Sequence, residues 1–154
     1  DRDSICDWGP TAMLPIFNIL GNGYKTKNIV SHIDDEGHDQ FTKIIFLYDH
    51  AVASATVAKG VKSEGELIVS GTKGYIYVPA PWWKTDYFEI RYEEASQNKR
   101  YFYQLDGEGI RYELVAFTRA IESGRNLSYV DSNVSNRICE VVGDFYAQKD
   151  CAMI

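Results

Sequence analysis

Residues 41–58 read FTKIIFLYDHAVASATVA, and this stretch decides the fold class. Two runs rich in apolar and β-branched residues are separated only by Asp49-His50, a link that joins neighbouring strands in antiparallel fashion. The same signature, short aromatic and β-branched runs broken by Gly, Asp, Asn and Pro, extends outward from residue 24 to residue 106. It predicts seven strands, at 28–33, 41–48, 51–58, 65–70, 74–78, 87–93 and 99–105.

Helical periodicity precedes the predicted strands. Between residues 12 and 20, apolar side chains recur at helical spacing, and Gly21 then ends the segment. Pro15 lacks the amide hydrogen that an established helix needs, so this first helix either starts late or is kinked.

Two more helices are predicted after the strands. Leu114 and Ile121 fall on one helical face, and Gly124 supplies a left-handed helix end. Asp131 or Ser132 can cap the next helix, whose apolar stripe suits it to cover a sheet. The order of one helix, seven strands and two helices predicts an α+β domain: a mostly antiparallel sheet of about seven strands with helices on one face.

The opposite face of such a sheet would be left open. Phe46-Leu47-Tyr48 and Tyr101-Phe102-Tyr103 carry apolar or aromatic side chains at both parities of their strands, whereas a half-exposed strand would alternate. We therefore expect this open face to form a homodimer, sheet against sheet, rather than to leave its aromatic side chains in water.

Length and composition describe a compact globular chain of one domain. The 154 residues are 45% hydrophobic and 25% charged. The formal net charge of -6 argues against nucleic acid or an anionic membrane as partner, because both bind concentrated Lys and Arg. No apolar run approaches the roughly 20 residues of a membrane span, so a cytoplasmic location is expected. Cys6, Cys139 and Cys151 form no CxxC pair and are odd in number, which predicts free thiols.

Metal and cofactor motifs are weak in this sequence. Residues 32–39, HIDDEGHD, gather two imidazoles and four carboxylates, but consecutive acids between two strands are typical of a solvated turn. The segment Gly21-Asn22-Gly23 lacks the third glycine of a dinucleotide-binding fingerprint, because position 26 is Thr26. We therefore expect neither a metal site nor a cofactor site within this chain.

The segment PAPWWK, residues 79–84, sets two adjacent indoles beside the cation of Lys84. In an extended segment, one of Trp82 and Trp83 would enter the core and the other would meet solvent, a partner or a ligand. An exposed indole stacks well on a sugar ring, whereas a purely structural role at a sheet edge is equally compatible with the pattern.

Asp7 and Thr11 form a second candidate pair. Their spacing of four positions puts them on one face of a helix, if this stretch is helical. An Asp near a helix start is more often a cap than a catalytic group, so the pair by itself is weak evidence of a site.

Three segments together resemble a known family. They are Cys6-Asp7-Trp8-Gly9-Pro10-Thr11, then GELIVSGTKG at 65–74 with the PWWK that follows, and GIRYE at 109–113 with AF at 116–117 and IESG at 121–124. In order and spacing they resemble the C-terminal domain of the Gfo/Idh/MocA oxidoreductases, over residues 6–147.

The resemblance implies that this chain is one domain of a longer protein, in which each domain has a separate role. An N-terminal Rossmann domain, absent from this chain, would hold NAD or NADP, and the start at Asp1 rather than Met agrees with that expectation. The present domain would contact the substrate and form the dimer through its open sheet. The reaction implied is oxidation of a hydroxyl of a sugar, inositol or sugar derivative, or reduction of the matching ketone. The chain alone is not expected to turn over.

The resemblance also implies roles for particular residues. Asp7 matches a substrate-facing Asp of the family and is the expected catalytic residue, acting with a Lys of the nucleotide domain. Thr11 stands where the family has a His, and its hydroxyl can bind a substrate but cannot serve as a base near neutral pH. Trp82, Trp83 and Lys84 are the other expected substrate contacts. The alternative is a non-catalytic carbohydrate-binding or dimerisation module derived from that family, which Thr11 favours.

Overall fold

The computed structural model describes residues 3–107, 109–126 and 128–154. These divide into two units, Asp1–Lys62 with Tyr129–Ile154, and Ser63–Ser128. The helices are α1 (Ser4–Leu20), α2 (Ile110–Ser123) and α3 (Ser132–Tyr146), and the strands are β1 (Thr26–Ile33), β2 (Asp39–Leu47), β3 (Val52–Ala58), β4 (Leu67–Gly71), β5 (Gly74–Val78), β6 (Tyr87–Tyr92), β7 (Lys99–Phe102) and β8 (Cys151–Met153).

The first unit is a four-stranded sheet, ordered β3-β2-β1-β8, with α1 and α3 packed together. Its core is apolar and brings Phe17 of α1 against Phe46 of β2, with ring centroids 5.2 Å apart. From α3, Val134, Ile138 and Val141 enter the same core, so the predicted apolar stripe is confirmed. Burial of these side chains is the main stabilising contribution to the unit.

Helix α1 runs through both of its prolines. It begins at Ser4 and includes Pro10 and Pro15, so the expectation of a late start is wrong. Each proline removes one i to i−4 hydrogen bond, which costs the helix stability. Tertiary packing compensates, because Ile5, Met13 and Phe17 on one side of the helix are buried in the core.

A β-bulge interrupts the pairing of β1 with β2. His32 stands opposite Phe41 and Ile33 opposite Asp39, which leaves Gln40 as the extra residue. Because the bulge shifts the parity of the strand, Asp39 lies on the same buried side as Thr42, three positions later. The turn that precedes β2 is the predicted loop: Gly37 has a φ of 89°, which a glycine adopts without strain.

Lys27 joins three elements at the other end of the first unit. Its side chain is 3% exposed, and its Nζ lies 2.6 Å from Asp144 of α3 and 2.9 Å from Asp150, just before β8. Burial alone would lower the pKa of Lys27, but the hydrogen bonds to both carboxylates outweigh burial and raise it. The hydrogen bond from Lys27 in turn lowers the pKa of Asp144.

The Lys27 pair predicts a pH dependence of stability. Because the pKa of Asp144 is lower in the folded chain than its ordinary value of 3.8, the stabilisation is present above that value. It is lost as the pH falls through the lowered folded pKa. On the alkaline side, the contribution of Lys27 is present below 10.5 and is lost as the pH rises through its raised pKa. Lys27→Met should cost ~2 kcal/mol at pH 7, less than a fully buried pair, because both carboxylates reach solvent.

Urea unfolding of wild type and Lys27→Met, followed by circular dichroism from neutral to acid pH, measures this effect. The gap between the two proteins should shrink as Asp144 becomes protonated. Lys149→Met is the matched control, because Lys149 also contacts Asp144, at 3.5 Å, but is mostly exposed. A constant gap across the acid range would contradict the assignment.

The second unit contains a four-stranded antiparallel sheet, ordered β4-β5-β6-β7, and helix α2. On one face, Glu89 accepts hydrogen bonds from Arg100 and Arg91, which lower the pKa of Glu89. The guanidinium of Arg91 lies 4.2 Å from the ring centroid of Tyr77, and that of Arg100 lies 4.7 Å from the ring centroid of Tyr87. This face is therefore a network of guanidinium groups and aromatic rings.

The other face of this sheet is apolar. Val69, Ile76 and Ile90 stand opposite one another on adjacent strands, and the rings of Phe88 and Tyr101 stack with centroids 5.1 Å apart. Among the residues of Ser63–Ser128 that the structure describes, none is buried. Helix α2 likewise exposes the apolar residues of its predicted stripe. The second unit thus has no buried core within the described part of the chain.

The α+β class and all seven predicted strands are confirmed, with ends shifted by a few residues. The expectation of one sheet is wrong, because the described strands form two sheets of four. Sequence analysis missed β8, which pairs with β1 in parallel. The prediction of all helices on one sheet face is also wrong for α2, which has no buried residue. No helix in the described ranges has both the length and the apolar character needed to cross a membrane.

Candidate functional site

The predicted pair Asp7 and Thr11 lies on one face of α1, one helical turn apart. Both residues are accessible from solvent. Asp7 is not the cap of the helix, because α1 begins three residues earlier, and the interpretation of Asp7 as a capping residue does not hold. Pro15 has no amide hydrogen to donate to the carbonyl of Thr11, so this helical bond is missing at the site.

Lys59, which sequence analysis did not single out, forms an ion pair with Asp7. It follows β3, and its Nζ lies 2.8 Å from Oδ2 of Asp7. The two side chains are 29% and 32% exposed, so the pair is partly withdrawn from water. No local sequence motif indicates this contact, because Asp7 and Lys59 are remote in sequence.

A buried polar network holds the start of α1. The carboxylate of Asp39, 1% exposed, accepts hydrogen bonds from the Ser4 hydroxyl, from the Ile5 amide at 3.1 Å and from the Thr42 hydroxyl at 2.6 Å. Because the Thr42 hydroxyl donates to Asp39, Ser31 is the donor in the 2.6 Å contact between Ser31 and Thr42. A residue of β2 thus supplies the N-terminal cap of α1.

Asp3 occupies the N-cap position of α1, but its side chain does not cap the helix. Its side chain makes no hydrogen bond to the helix start; one oxygen accepts from the Asp39 amide at 3.1 Å, and the other from the Tyr146 hydroxyl at 2.8 Å. Burial and the hydrogen bond to Asp3 raise the pKa of Tyr146, so this hydroxyl stays a donor at all ordinary pH values. The contact ties the end of α3 to the start of α1.

The predicted substrate contacts Trp82, Trp83 and Lys84 lie in the second unit. They form a short 3-10 turn rather than an extended segment, so the expectation that one indole enters the core is wrong. Trp82 is half-buried and Trp83 is 55% exposed, with ring planes at 89°. The Trp82 amide donates to the carbonyl of Gly65 at 3.0 Å, which fixes the turn against the preceding loop. One indole face thus stays accessible.

The described residues do not fit a dinucleotide. A nucleotide site of the Rossmann type needs a glycine-rich turn between a parallel strand and a helix. Here the parallel pairing within the described ranges is that of β1 with β8, and Gly21 and Gly124 end helices instead of opening them. Nor do the described residues contain a group of three or more His, Cys, Asp and Glu placed to hold a metal ion. Cys6, Cys139 and Cys151 are free thiols, as predicted.

Solved structures of proteins about twice as long as this chain share its fold over roughly half of their length. No protein-family model matches the chain, and no curated protein matches its sequence. KijD10, a 3-ketoreductase from Actinomadura kijaniata, was solved in an open conformation in complex with TDP-benzene and NADP. It superposes with a TM-score of 0.81 at 13% identity, over 99% of this chain and 49% of that chain.

Two further structures are similar. A protein described as a probable oxidoreductase, yhhX, matches with a TM-score of 0.66 at 16% identity, over 94% of this chain and 48% of that one. A Klebsiella pneumoniae protein, also described provisionally as an oxidoreductase, matches with a TM-score of 0.62 at 15% identity, over 89% of this chain and 44% of that one. The chain therefore spans about half the length of its structural neighbours, which are of the Gfo/Idh/MocA type. The resemblance suggested by the sequence is confirmed at the level of the fold.

Proposed function

We propose that the chain is the substrate-binding and oligomerisation domain of an NAD(P)-dependent oxidoreductase. The parent would act on a hydroxyl or ketone of a sugar, inositol or sugar derivative. The observation that carries the proposal is the match of 99% of this chain to half of a 3-ketoreductase solved with NADP. A cytoplasmic location remains a prediction from the sequence.

Within this proposal, the cofactor belongs to a preceding Rossmann domain. When bound there, NAD or NADP would supply the hydride chemistry. The present residues would bind and orient the substrate: Asp7 accepts a hydrogen bond from a substrate hydroxyl, and Thr11 offers a second hydrogen bond one turn away. In the second unit, taken by itself, Trp82 and Trp83 give a separate surface on which a sugar ring can stack, with Lys84 beside them.

The homodimer is part of the proposal. The second unit has an apolar sheet face whose side chains Val69, Ile76 and Ile90 are only half-buried, and the described residues of Ser63–Ser128 form no buried core. A second copy of the chain that packs on this face would bury it, in keeping with the two-fold symmetry of most small oligomers. The alternative function, a carbohydrate-binding or dimerisation module without catalysis, is favoured by Thr11 in place of an ionisable group.

Calorimetric titration tests the proposed function. NAD and NADP are titrated against the chain alone and against the chain preceded by its natural upstream sequence, which is then assayed with myo-inositol, D-glucose and a TDP-linked hexose. We expect only the longer protein to bind cofactor and to show turnover. Binding to neither protein would overturn the oxidoreductase proposal and leave the binding module; binding to the chain alone would overturn the assignment of the cofactor to a separate domain.

A further inference from the structure

We propose that Lys59 is a positioning residue of the active site: it holds one oxygen of the Asp7 carboxylate, so that the other oxygen is presented to the substrate. This inference rests on the proposed function, in which Asp7 contacts the substrate hydroxyl. It adds to the site a residue that lies far from Asp7 in sequence and belongs to a different element.

The ion pair with Lys59 involves only one of the two carboxylate oxygens of Asp7. Oδ2 of Asp7 lies 2.8 Å from Nζ of Lys59. In the part of the chain that the structure describes, Oδ1 accepts no hydrogen bond, and Asp7 is accessible on the face of α1 that also carries Thr11. An ionised carboxylate can accept several hydrogen bonds, so a substrate hydroxyl can bind at Oδ1 while Lys59 occupies Oδ2.

The bulge in β2 supports both partners of this pair. Asp39, before the bulged residue, caps α1 and so fixes the helix that carries Asp7. The carbonyl of the bulged residue, Gln40, accepts the amides of Lys59 and Gly60, both at 3.1 Å. Asp39 and Gln40, which are consecutive, thus hold the start of α1 and the end of β3, and these two segments bring Asp7 and Lys59 together. Bulges commonly redirect side chains beside functional sites.

Close packing restricts the chain next to Lys59. A Cβ atom at Gly60 would lie 2.8 Å from Oε1 and 3.0 Å from Cβ of Gln40. The Gln40 side chain is itself held, because its amide donates to Asp34 at 2.6 Å. The backbone at Lys59 and Gly60 is therefore held against Gln40 by two hydrogen bonds and by close packing.

The surface pair of Lys25 and Asp49 provides the contrast. These two side chains are 64% and 62% exposed, about twice the exposure of Lys59 and Asp7. A pair so open to water contributes little and orients neither group. Lys25→Met is therefore the matched control for Lys59→Met, since both remove an ammonium from an ion pair in the same unit.

The first test uses turnover of the full-length protein with whichever substrate of the panel reduces NAD(P) fastest. Lys59→Met should lower kcat by ~100-fold with little change in KM, because a displaced reacting group slows the step itself. Lys59→Arg keeps a cation beside Asp7 and should restore kcat to within ~10-fold of wild type. Lys25→Met should match wild type, and the thermal midpoints of all variants should agree.

The outcomes separate this inference from the proposed function. Normal kcat in Lys59→Met, with an active wild type, overturns the inference alone. Loss in Lys59→Arg as deep as in Lys59→Met also overturns it, because the site then needs the lysine itself rather than its charge. An inactive wild type overturns the proposed function and this inference with it.

The second test needs no turnover. The side-chain ammonium resonance of Lys59, observed by ¹⁵N NMR in the 154-residue chain, should shift in Asp7→Asn, while that of Lys25 stays in place. An unchanged Lys59 resonance would show that the pair does not form in solution and would overturn the inference whatever the activity.

Discussion

Asp39→Ala should lower the free energy of unfolding of the first unit by ~3 kcal/mol or more. The substitution removes the acceptor for three buried donors, the hydroxyls of Ser4 and Thr42 and the amide of Ile5. Each buried donor left without a partner costs ~1–3 kcal/mol, and water that enters the small space left by the carboxylate recovers part of that cost.

Urea unfolding followed by circular dichroism gives the measurement. Asp35→Ala, an exposed Asp in the turn before β2, is the matched control and should change stability by less than ~0.5 kcal/mol. Asp39→Asn keeps one acceptor oxygen and should fall between the two. Equal stability of Asp39→Ala and Asp35→Ala would mean that the start of α1 does not depend on this network.

The local parts of the fold were predictable from sequence. Helix α3 has an Asp131 cap, whose side chain accepts from the Asn133 amide at 2.8 Å, and a complete apolar stripe. Gly124 ends α2 with a φ of 63°, as its position in the sequence indicated. These features depend on residues within a few positions of each other, and the same range of interaction determines the tight turns between strands.

The bulge shows why the support of the site could not be predicted. A regular strand through Phe41 would place Asp39 on the side of Phe41 and Lys43, away from the core. The extra residue Gln40 reverses that parity, so an Asp that sequence analysis assigned to a solvated turn becomes a buried cap. Lys59 was missed for a related reason: its partner is reached only after β2 and β3 pair.

In α1, tertiary packing outweighs the tendency of an internal proline to end a helix. Pro15 predicted that the helix starts late or is kinked, yet the helix begins at Ser4, because the core and Asp39 hold its first turn. The early start has a consequence for the site. It places Asp7 inside the helix, one turn from Thr11, rather than at the N-cap position.

Ile90→Asp should convert the proposed homodimer into a monomer. Ile90 lies on the apolar face of the second unit, opposite Ile76, and a two-fold interface contains each substituted residue twice. Burial of two carboxylates against that face should cost ~2 kcal/mol per copy, which weakens the dimer by roughly 1,000-fold. Sedimentation equilibrium of wild type and variant measures the change.

Ile68→Asp distinguishes the two faces of the sheet. Ile68 of β4 stands opposite Tyr77, on the face that carries the guanidinium and aromatic network, so the same change at this position should leave the dimer intact. If Ile68→Asp gives the monomer and Ile90→Asp does not, the interface is the aromatic face. A monomeric wild type would instead remove the homodimer from the proposal. A different partner would then have to pack on the apolar face, because half-exposed apolar side chains without a core do not hold a four-stranded sheet in water.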